Sequence, residues 1–389
     1  MKAFFEHYFK GDKVIWAVLF VLLVLSMLVV YSSTGTLAYK YQSGDTGYYL
    51  LRHMKFLIAG LVIVYFVHKI PYRYFYGLSR FIFGLSVLLL LVTLLLGVSR
   101  NDATRWLTLP GIGIEFQTSD LAKFGLILFI ARVLAHSQNS KEELKKAYLQ
   151  IMLPVLLICA LILPENLSTS ALVFLTSLVL MYIGRIYTPY LLATIGILVA
   201  AIAIVLSLII FAPGTLKRGG TWKNRIENFV KGEGGDNYQA EQAKIAVVTG
   251  GLLGKGPGNS TQRNFLPHPY SDFIYAIIIE EYGTLGGVAV LSLYLYLLFR
   301  TGRIVRYSKR TFPAFLSIGL SLSLVFQALV NMAVNVGLMP VTGQPLPFVS
   351  MGGTSILFTS VAIGILLSIS RSIEDQNKQP LPQPLVSNE

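Results

Sequence analysis

Long apolar runs recur along the whole chain, and they restrict its fold more than any other feature. A helix needs about 20 residues to cross the hydrocarbon core of a bilayer, so runs of that order predict membrane spans. The composition agrees, because 54% of the 389 residues are hydrophobic and 13% are charged. We therefore predict an all-α, polytopic membrane helix bundle. The predicted spans, about ten, are residues 14–31, 50–67, 81–98, 121–134, 151–163, 170–183, 190–211, 273–299, 312–336 and 350–369.

The distribution of basic residues predicts the orientation. Outside one long loop, most Lys and Arg lie in short loops on the side of the N-terminus, as is typical of cytoplasmic loops. Both termini are then cytoplasmic. The predicted parts are an interfacial helix at 1–13, spans at 14–211, a large extracytoplasmic loop at 212–272, further spans at 273–370 and a disordered cytoplasmic tail at 371–389. The net charge of +13 suits anionic membrane lipid, and we expect no nucleic-acid partner.

Several kinds of chemistry leave no signature in this sequence. Cys159 is the single cysteine, so no disulfide framework is possible. The histidines are scattered, without the spacing of a metal site. We find no Walker A loop, dinucleotide fingerprint or nucleophile elbow.

The passage at 250–287, GGLLGKGPGNSTQRNFLPHPYSDFIYAIIIEEYGTLGG, turns from a glycine-rich polar loop into an apolar helix. Asp272 is the last charge before that helix. A carboxylate there could cap the helix, and it could also act as a general base. Glu280 and Glu281 follow about 12 and 13 Å further along the helix, and only Glu280 points to the same side as Asp272. Acids inside a span are functional candidates by default, and the alternative for each is a structural ion pair.

Further candidates lie before the fourth span and in the last loop. Asp120 and Lys123 are three residues apart and share a helix face. They could form a self-paired cap, although Lys123 could instead form an ion pair with Asp272, Glu280 or a ligand phosphate. Arg105 beside Trp106 offers an anion site, or mere anchoring at the membrane interface. The stiff loop PVTGQPLPFVSMGGTS could supply backbone N–H donors for a phosphate. Alternatively, it could be a re-entrant loop that only packs against the helices. Its candidate residues are Ser350, Gly352 and Gly353.

Three stretches resemble the SEDS family of cell-wall proteins (shape, elongation, division and sporulation). They are TRWL with FQTSDLAK, then GGLLGKGPGNSTQRNFLPHPYSDFIYAIIIEEYG, then FQALVNMAVNVGLMPVTGQPLPFVSMGGTS. FQALVN and the GNS–Q–FLP pattern are more similar to the division members than to the elongation members. PENLSTS at 164–170 departs from the family's P-D-x-G-T, because Glu165 replaces the Asp and the glycine is missing. We assign that loop no role.

The resemblance implies an inverting glycosyltransferase that polymerises lipid II into peptidoglycan at the outer face of the bacterial inner membrane. It implies that Asp272 is the general base and Lys123 the membrane-edge lysine, with Asp120 in place of the usual Glu. Cations opposite the leaving diphosphate would then be needed. Candidates are Arg105, Lys123, Arg263 and a divalent cation, Mg²⁺ or Mn²⁺. The implied partners are a class B penicillin-binding transpeptidase and other proteins of the division septum.

Two other functions fit parts of the sequence. A lipid II flippase would carry its substrate through the bundle and use broken helices near the midplane. A scaffold would use the same acids only for packing. The polar groups gather at one edge of the predicted membrane, and this favours chemistry at the interface.

Overall fold

The computed structural model describes residues 9–41, 43–100, 103–108, 115–211 and 235–378. Helices occupy every predicted span position, and most begin earlier than predicted. The helices are α1 (Lys13–Ser33), α2 (Gly35–Tyr41), α3 (Thr46–Val67), α4 (Arg73–Leu96), α5 (Thr118–His136), α6 (Lys141–Ile162), α7 (Leu167–Ile183), α8 (Thr188–Phe211), α9 (Gly235–Gly250), α10 (Ile274–Tyr307), α11 (Thr311–Asn335) and α12 (Thr354–Lys378). The strands are β1 (Val98–Arg100), β2 (Ala103–Thr108) and β3 (Glu115–Gln117).

Seven of the described helices are long and apolar enough to cross a membrane. They are α1, α3, α4, α6, α10, α11 and α12. Helix α5 also lies at a predicted span position but carries Asp120, Lys123 and Arg132. Helices α7 and α8 offer shorter apolar stretches, at Leu167–Ile183 and Thr188–Ala200. The predicted all-α polytopic fold is confirmed.

The helices differ in how much of their surface the rest of the protein covers. Other residues bury 61% of the apolar window of α11 and 67% of that of α12, but only 22% in α3 and α4. Helices α5 and α10 pack on α11, and α3 packs on α12. Helices α11 and α12 therefore form the centre of the bundle, while α3 and α4 turn broad apolar surfaces outward, as lipid-facing helices do.

A small antiparallel sheet follows α4, where the sequence predicts only a loop. Its strand order is β1-β2-β3, and Trp106 pairs with Gln117 across β2 and β3. Strand β3 runs directly into α5, so the sheet is attached to the helix that carries Asp120 and Lys123. The strands are short, and runs of three to six residues give too weak a periodic signal to predict.

Helix α10 is broken at Gly283, where φ is +72° and ψ is −178°. The part before the break, residues 274–282, lies almost entirely inside the protein. The part after it, residues 284–307, is about 36 Å long at the usual rise per residue. That length can cross a hydrocarbon core of about 30 Å. Glu280 and Glu281 thus lie before the spanning part, which differs from the continuous span that the sequence predicts.

The glycine-rich loop at 251–256 closes this break with backbone hydrogen bonds. The amides of Lys255 and Gly256 donate to the carbonyls of Glu280 and Glu281, each at 2.9 Å. In the opposite sense, Thr284 N donates to Gly251 O at 2.8 Å. A helix end leaves backbone groups without intrahelical partners, and at membrane depth these must be satisfied by protein. The loop therefore supplies partners for the carbonyls and amides that the break exposes.

This backbone docking explains two of the glycines. A Cβ at Gly254 would lie 2.2 Å from Glu281 O, and one at Gly283 would lie 2.1 Å from Leu252 O. Both residues also have positive φ, at +79° and +72°. Only glycine combines that backbone conformation with so close an approach.

Helix α9 lies inside the predicted large loop, whereas residues 212–234 of that loop lie outside the described residues. Most of the predicted interfacial helix at 1–13 also lies outside them. Helix α12 continues to Lys378, so the first part of the predicted disordered tail is helical.

Candidate active site

Asp272 lies directly before α10, and its backbone is held by two amides of α11. Asn331 Nδ2 and Asn335 Nδ2 each donate to the Asp272 carbonyl at 2.9 Å. Asn335 Oδ1 also accepts the amide of Ala276 at 3.0 Å, so the first turn of α10 is satisfied from a neighbouring helix. The cap predicted for Asp272 is thus supplied by Asn335. This arrangement fixes the Asp272 backbone, while its side chain stays partly exposed.

The last loop, residues 337–353, lies beside the Asp272 carboxylate. A Cβ at Gly343 would lie 3.7 Å from Asp272 Oδ2. Ser271 Oγ donates to Asp272 Oδ1 at 2.9 Å. The loop is anchored to α11, because Asn331 Nδ2 donates to Gln344 O at 2.7 Å. One helix therefore positions both the carboxylate and the loop next to it.

Ser350 fastens that loop to the residue before Asp272. Its Oγ donates to Ser271 O at 2.6 Å and accepts the amide of Leu346 at 2.7 Å. The side chain is 1% exposed, so it is not open to a ligand. Ser350, predicted as a substrate contact, is a positioning residue instead.

Lys123 pairs with Asp120, which is the self-paired arrangement that the sequence offers as one alternative. The Nζ lies 2.8 Å from Asp120 Oδ1 and donates to Gln327 Oε1 at 3.1 Å. Its partner is therefore neither Asp272 nor Glu280, which corrects that part of the prediction. Gln327 Nε2 donates to Pro345 O at 2.9 Å, so Lys123 reaches the last loop through one amide.

The pair opens onto a small cavity of about 40 Å³ between α5, α11 and α12. Its polar lining includes Ser323, Ser355 and Thr359. Asp120 Oδ2 is buried and has no hydrogen-bond partner among the described residues. A polar cavity of this size has room for ordered water, which would satisfy that oxygen.

Glu280 does not line this site. Its side chain is fully buried, and Lys255 Nζ lies 2.6 Å from Oε1. Ser260 Oγ, Thr261 Oγ1 and two loop amides also donate to the carboxylate. Glu280 therefore anchors the glycine-rich loop to α10. The geometry favours the structural alternative over the predicted substrate contact.

Arg263 is likewise engaged within the protein. Its Nη1 donates to Ser32 O at 2.9 Å and to Ser32 Oγ at 3.2 Å. Ser32 Oγ in turn donates to the buried Glu281. These contacts tie the outer loop to the end of α1, so the structure gives Arg263 a structural role where the sequence predicts a phosphate contact.

The remaining candidates lie at the same end of the bundle. Trp106 is half-buried in β2, and the side chain of Arg105 lies outside the described residues. Gly352 and Gly353 directly precede α12. Thr354 Oγ1 donates to Glu115 O at 3.2 Å, which joins the start of α12 to β3. The sheet, α5 and the last loop therefore meet around one region.

Gln327 is the functional candidate that sequence reasoning missed. Together with Asn331 and Asn335 it places three amides on one face of α11 at a spacing of four residues. That spacing is a detectable signal, because amides aligned on an apolar helix bond to neighbouring elements. Asn331 and Asn335 do so here, since both bond to the Asp272 carbonyl before α10.

A protein-only metal site does not fit the described residues. They contain no group of three or more His, Cys, Asp or Glu side chains that could hold an ion. Asp120 is paired with Lys123, and Glu280 is paired with Lys255.

Fold and site together define a polytopic membrane protein that presents the Asp272 carboxylate at one end of its helix bundle. Residues 12–375 match the family model FtsW/RodA/SpoVE, described as "Cell cycle protein". The chain belongs to this family, which confirms the resemblance that the sequence motifs indicate.

Individual relatives agree in length and fold. The probable peptidoglycan glycosyltransferase FtsW of Coxiella burnetii is 32% identical, over 91% of this chain and 94% of that protein. Stage V sporulation protein E of Bacillus subtilis is 30% identical, over 92% and 97%. Among solved structures, Thermus thermophilus RodA has a TM-score of 0.67 at 24% identity, covering 93% and 97%. A chain from a peptidoglycan synthase complex has a TM-score of 0.73 at 23% identity, covering 93% and 98%.

Proposed function

We propose that this protein is a peptidoglycan glycosyltransferase that polymerises lipid II at the outer face of the cytoplasmic membrane. The observation that carries the proposal is the placement of Asp272. Two buried amides fix its backbone, and its carboxylate lies beside Gly343, a residue without a side chain. The names of the curated relatives support the same activity.

Asp272 acts as the general base in this mechanism. The hydroxyl of the acceptor sugar gives its proton to the carboxylate while its oxygen bonds to the anomeric carbon of the donor. The bond from that carbon to the lipid diphosphate breaks, and the diphosphate leaves with the electron pair. Attack opposite the leaving group inverts the anomeric centre. A base at hydrogen-bond distance from the hydroxyl contributes about 10²–10⁴-fold to such a step.

Lys123, which is held in place by Asp120, stabilises the negative charge that develops on the diphosphate. Lys123 Nζ is held by Asp120 and Gln327 at the edge of a polar cavity, so it is oriented before the substrate arrives. Preorganised charge in a site that excludes water stabilises a developing anion strongly. A divalent cation that arrives with the diphosphate, Mg²⁺ or Mn²⁺, would supply further positive charge. Magnesium commonly binds through substrate phosphates and few protein ligands.

The family and the charge pattern support a cellular setting for this activity. We propose that both termini lie in the cytoplasm and that the protein acts at the division septum. A class B penicillin-binding transpeptidase is the expected partner, since one similar solved structure is described as a peptidoglycan synthase complex. FtsW relatives recur among the curated matches, which favours division over elongation.

A reconstituted assay on purified lipid II tests the proposal. Asp272→Asn should abolish polymer formation, because an amide cannot accept the proton. The matched control is Asp45→Asn, which makes the same change at the exposed cap of α3, where Asp45 accepts the amide of Tyr48. Asn caps helices as well as Asp does, so this variant should polymerise normally.

The same variants separate the polymerase from a flippase. Unchanged polymer from folded Asp272→Asn protein would exclude Asp272 as the base. Translocation of labelled lipid II across vesicles by the native protein, unaffected by Asp272→Asn and without any polymer, would favour transport instead.

A further inference from the structure

A cluster of exposed apolar residues lies at the C-terminal end of α9 and in the turn that follows it, on the predicted extracytoplasmic side. We call Val248, Leu252 and Leu253 the apolar tip; their side chains are 78%, 72% and 79% exposed. Exposed leucines in a water-facing turn would be unfavourable, since burying each one is worth about 1.5–3 kcal/mol. Among the described residues, therefore, this turn resembles a lipid-facing surface more than a solvated loop.

Polarity changes along α9 toward this tip. Glu241, Lys244 and Ile245 are exposed near its middle, and Val248 follows on the same face at a spacing of four residues from Lys244. The opposite face, with Ala243 and Ala246, is buried against the protein. The exposed apolar residues Ile245 and Val248 thus lie nearer the turn than the charged Glu241 and Lys244, and the polar Thr249 ends the exposed side.

The tip lies at the level where the lipid-facing surface of α10 begins. Residues 274–281 are buried by protein, and Leu285 is the first strongly exposed apolar residue after the break, at 60%. Leu285 N donates to Leu252 O at 3.3 Å, so tip and helix are adjacent there. Val288 and Leu295 continue the exposed apolar surface down the spanning part.

The backbone of the turn is compatible with an apolar environment. Gly251 O accepts from both Thr284 N and Thr284 Oγ1, each at 2.8 Å, and Gly254 N donates to Gly250 O at 2.8 Å. Non-helical backbone is tolerated at membrane depth only where protein satisfies it. These bonds provide that condition for the carbonyls of Gly250 and Gly251 and for the amide of Gly254.

We propose that the apolar tip inserts into the outer leaflet of the bilayer and anchors the large loop there. The anchor sets the depth of the polar passage that follows, from Lys255 to Asp272. The occupant of this surface is lipid acyl chain, because the tip continues the lipid-facing side of α10.

Site-directed fluorescence in lipid vesicles tests this inference. In a Cys159→Ser background, a single cysteine at Leu253 is labelled with an environment-sensitive fluorophore in the full-length protein. Quenching is measured with lipids brominated on their acyl chains and with aqueous iodide. Leu252→Cys provides a second position if the first variant does not give monodisperse protein. Glu241→Cys is the control for water, and Leu295→Cys is the control for lipid.

We expect the label at the tip to lose emission with brominated lipid as the label at position 295 does, and to be shielded from iodide relative to position 241. Strong iodide quenching without lipid quenching would overturn the insertion. Shielding from both quenchers would overturn it as well, because protein would then cover the tip. The readout does not involve catalysis, so it is independent of the proposed glycosyltransferase activity.

Discussion

At the scale of single residues, the position of Asp272 depends on side-chain amides that hold its backbone. Asn335 accepts from Ala276 N and donates to Asp272 O, and it is fully buried. Asn331 bridges the same carbonyl and Gln344 O. These bonds hold Asp272 in position, because a fully hydrogen-bonded buried amide makes its local structure rigid.

Asn335→Ala should lower both stability and polymerisation. The substitution removes the bonds of Asn335 to the amide of Ala276 and to the carbonyl of Asp272, and each buried hydrogen bond contributes about 0.5–1.5 kcal/mol. The amide keeps its 3.1 Å bond to Phe273 O, and the carbonyl keeps Asn331 Nδ2. The turnover number should fall more than the Michaelis constant rises, because the base is displaced while the cavity beside Lys123 is retained. Thermal unfolding in detergent and initial rates on lipid II measure the two effects.

The control for that variant lies on the same helix. Ser321 is buried in α11, and its Oγ has no hydrogen-bond partner among the described residues. Ser321→Ala therefore removes a buried polar group without stranding another one, and it should be neutral or stabilising. Equal losses in both variants would show that any change in α11 impairs the protein, and would contradict the assigned role of Asn335.

At the scale of elements, the break in α10 joins the large loop to the bundle. The loop carries the glycine-rich run GGLLGKGPGNS. In the structure, Lys255 N and Gly256 N bond to Glu280 O and Glu281 O. Glu280 adds an ion pair to Lys255 on the same loop. The break and the loop thus form one unit.

Gly283→Ala should destabilise the protein strongly. Its φ of +72° is unfavourable for alanine, and the new Cβ would lie 2.1 Å from Leu252 O. Backbone strain alone costs about 1–3 kcal/mol, and the clash adds to it by separating the loop from the break. We expect a lower melting temperature and reduced yield of folded protein.

Gly302→Ala is the matched change on the same helix. An added Cβ at Gly302 meets nothing within 4 Å, and the residue lies inside the spanning part. Alanine favours helix over glycine by about 1 kcal/mol, so this variant should be as stable as the native protein or more so. A Gly283→Ala protein that melts together with Gly302→Ala would argue against the break as a fixed structural unit.

At the scale of the whole molecule, membrane orientation decides which end of the bundle meets lipid II. The predicted orientation places Asp272 and α9 outside, and the α5–α6 connection inside. Asp12 caps α1 and pairs with Arg300 at 2.5 Å, which joins α1 and α10 at the predicted cytoplasmic end.

Cysteine accessibility tests this orientation. In the Cys159→Ser background, Glu241→Cys should react with a membrane-impermeant maleimide in intact spheroplasts. Glu142→Cys, in the first turn of α6, should react only after permeabilisation. The reverse pattern would place Asp272 in the cytoplasm and would remove the proposed activity with it.

The sequence by itself determined the helical membrane fold and the approximate positions of the helices, and it predicted a functional site at the junction before α10. These follow from the length and periodicity of apolar runs and from the rarity of charge near a membrane, which are local properties. Tertiary structure decided which polar groups meet. Lys123 pairs with Asp120, Glu280 with Lys255, and Asn335 with the Asp272 backbone.

The break at Gly283 also required tertiary structure, because glycine is common in membrane helices and its conformation depends on what approaches it. Here the backbone of Leu252 approaches it, from the glycine-rich loop that precedes α10 in the chain. Hydrogen-bond partners between distant segments are set by how the helices pack, and no local pattern encodes that packing.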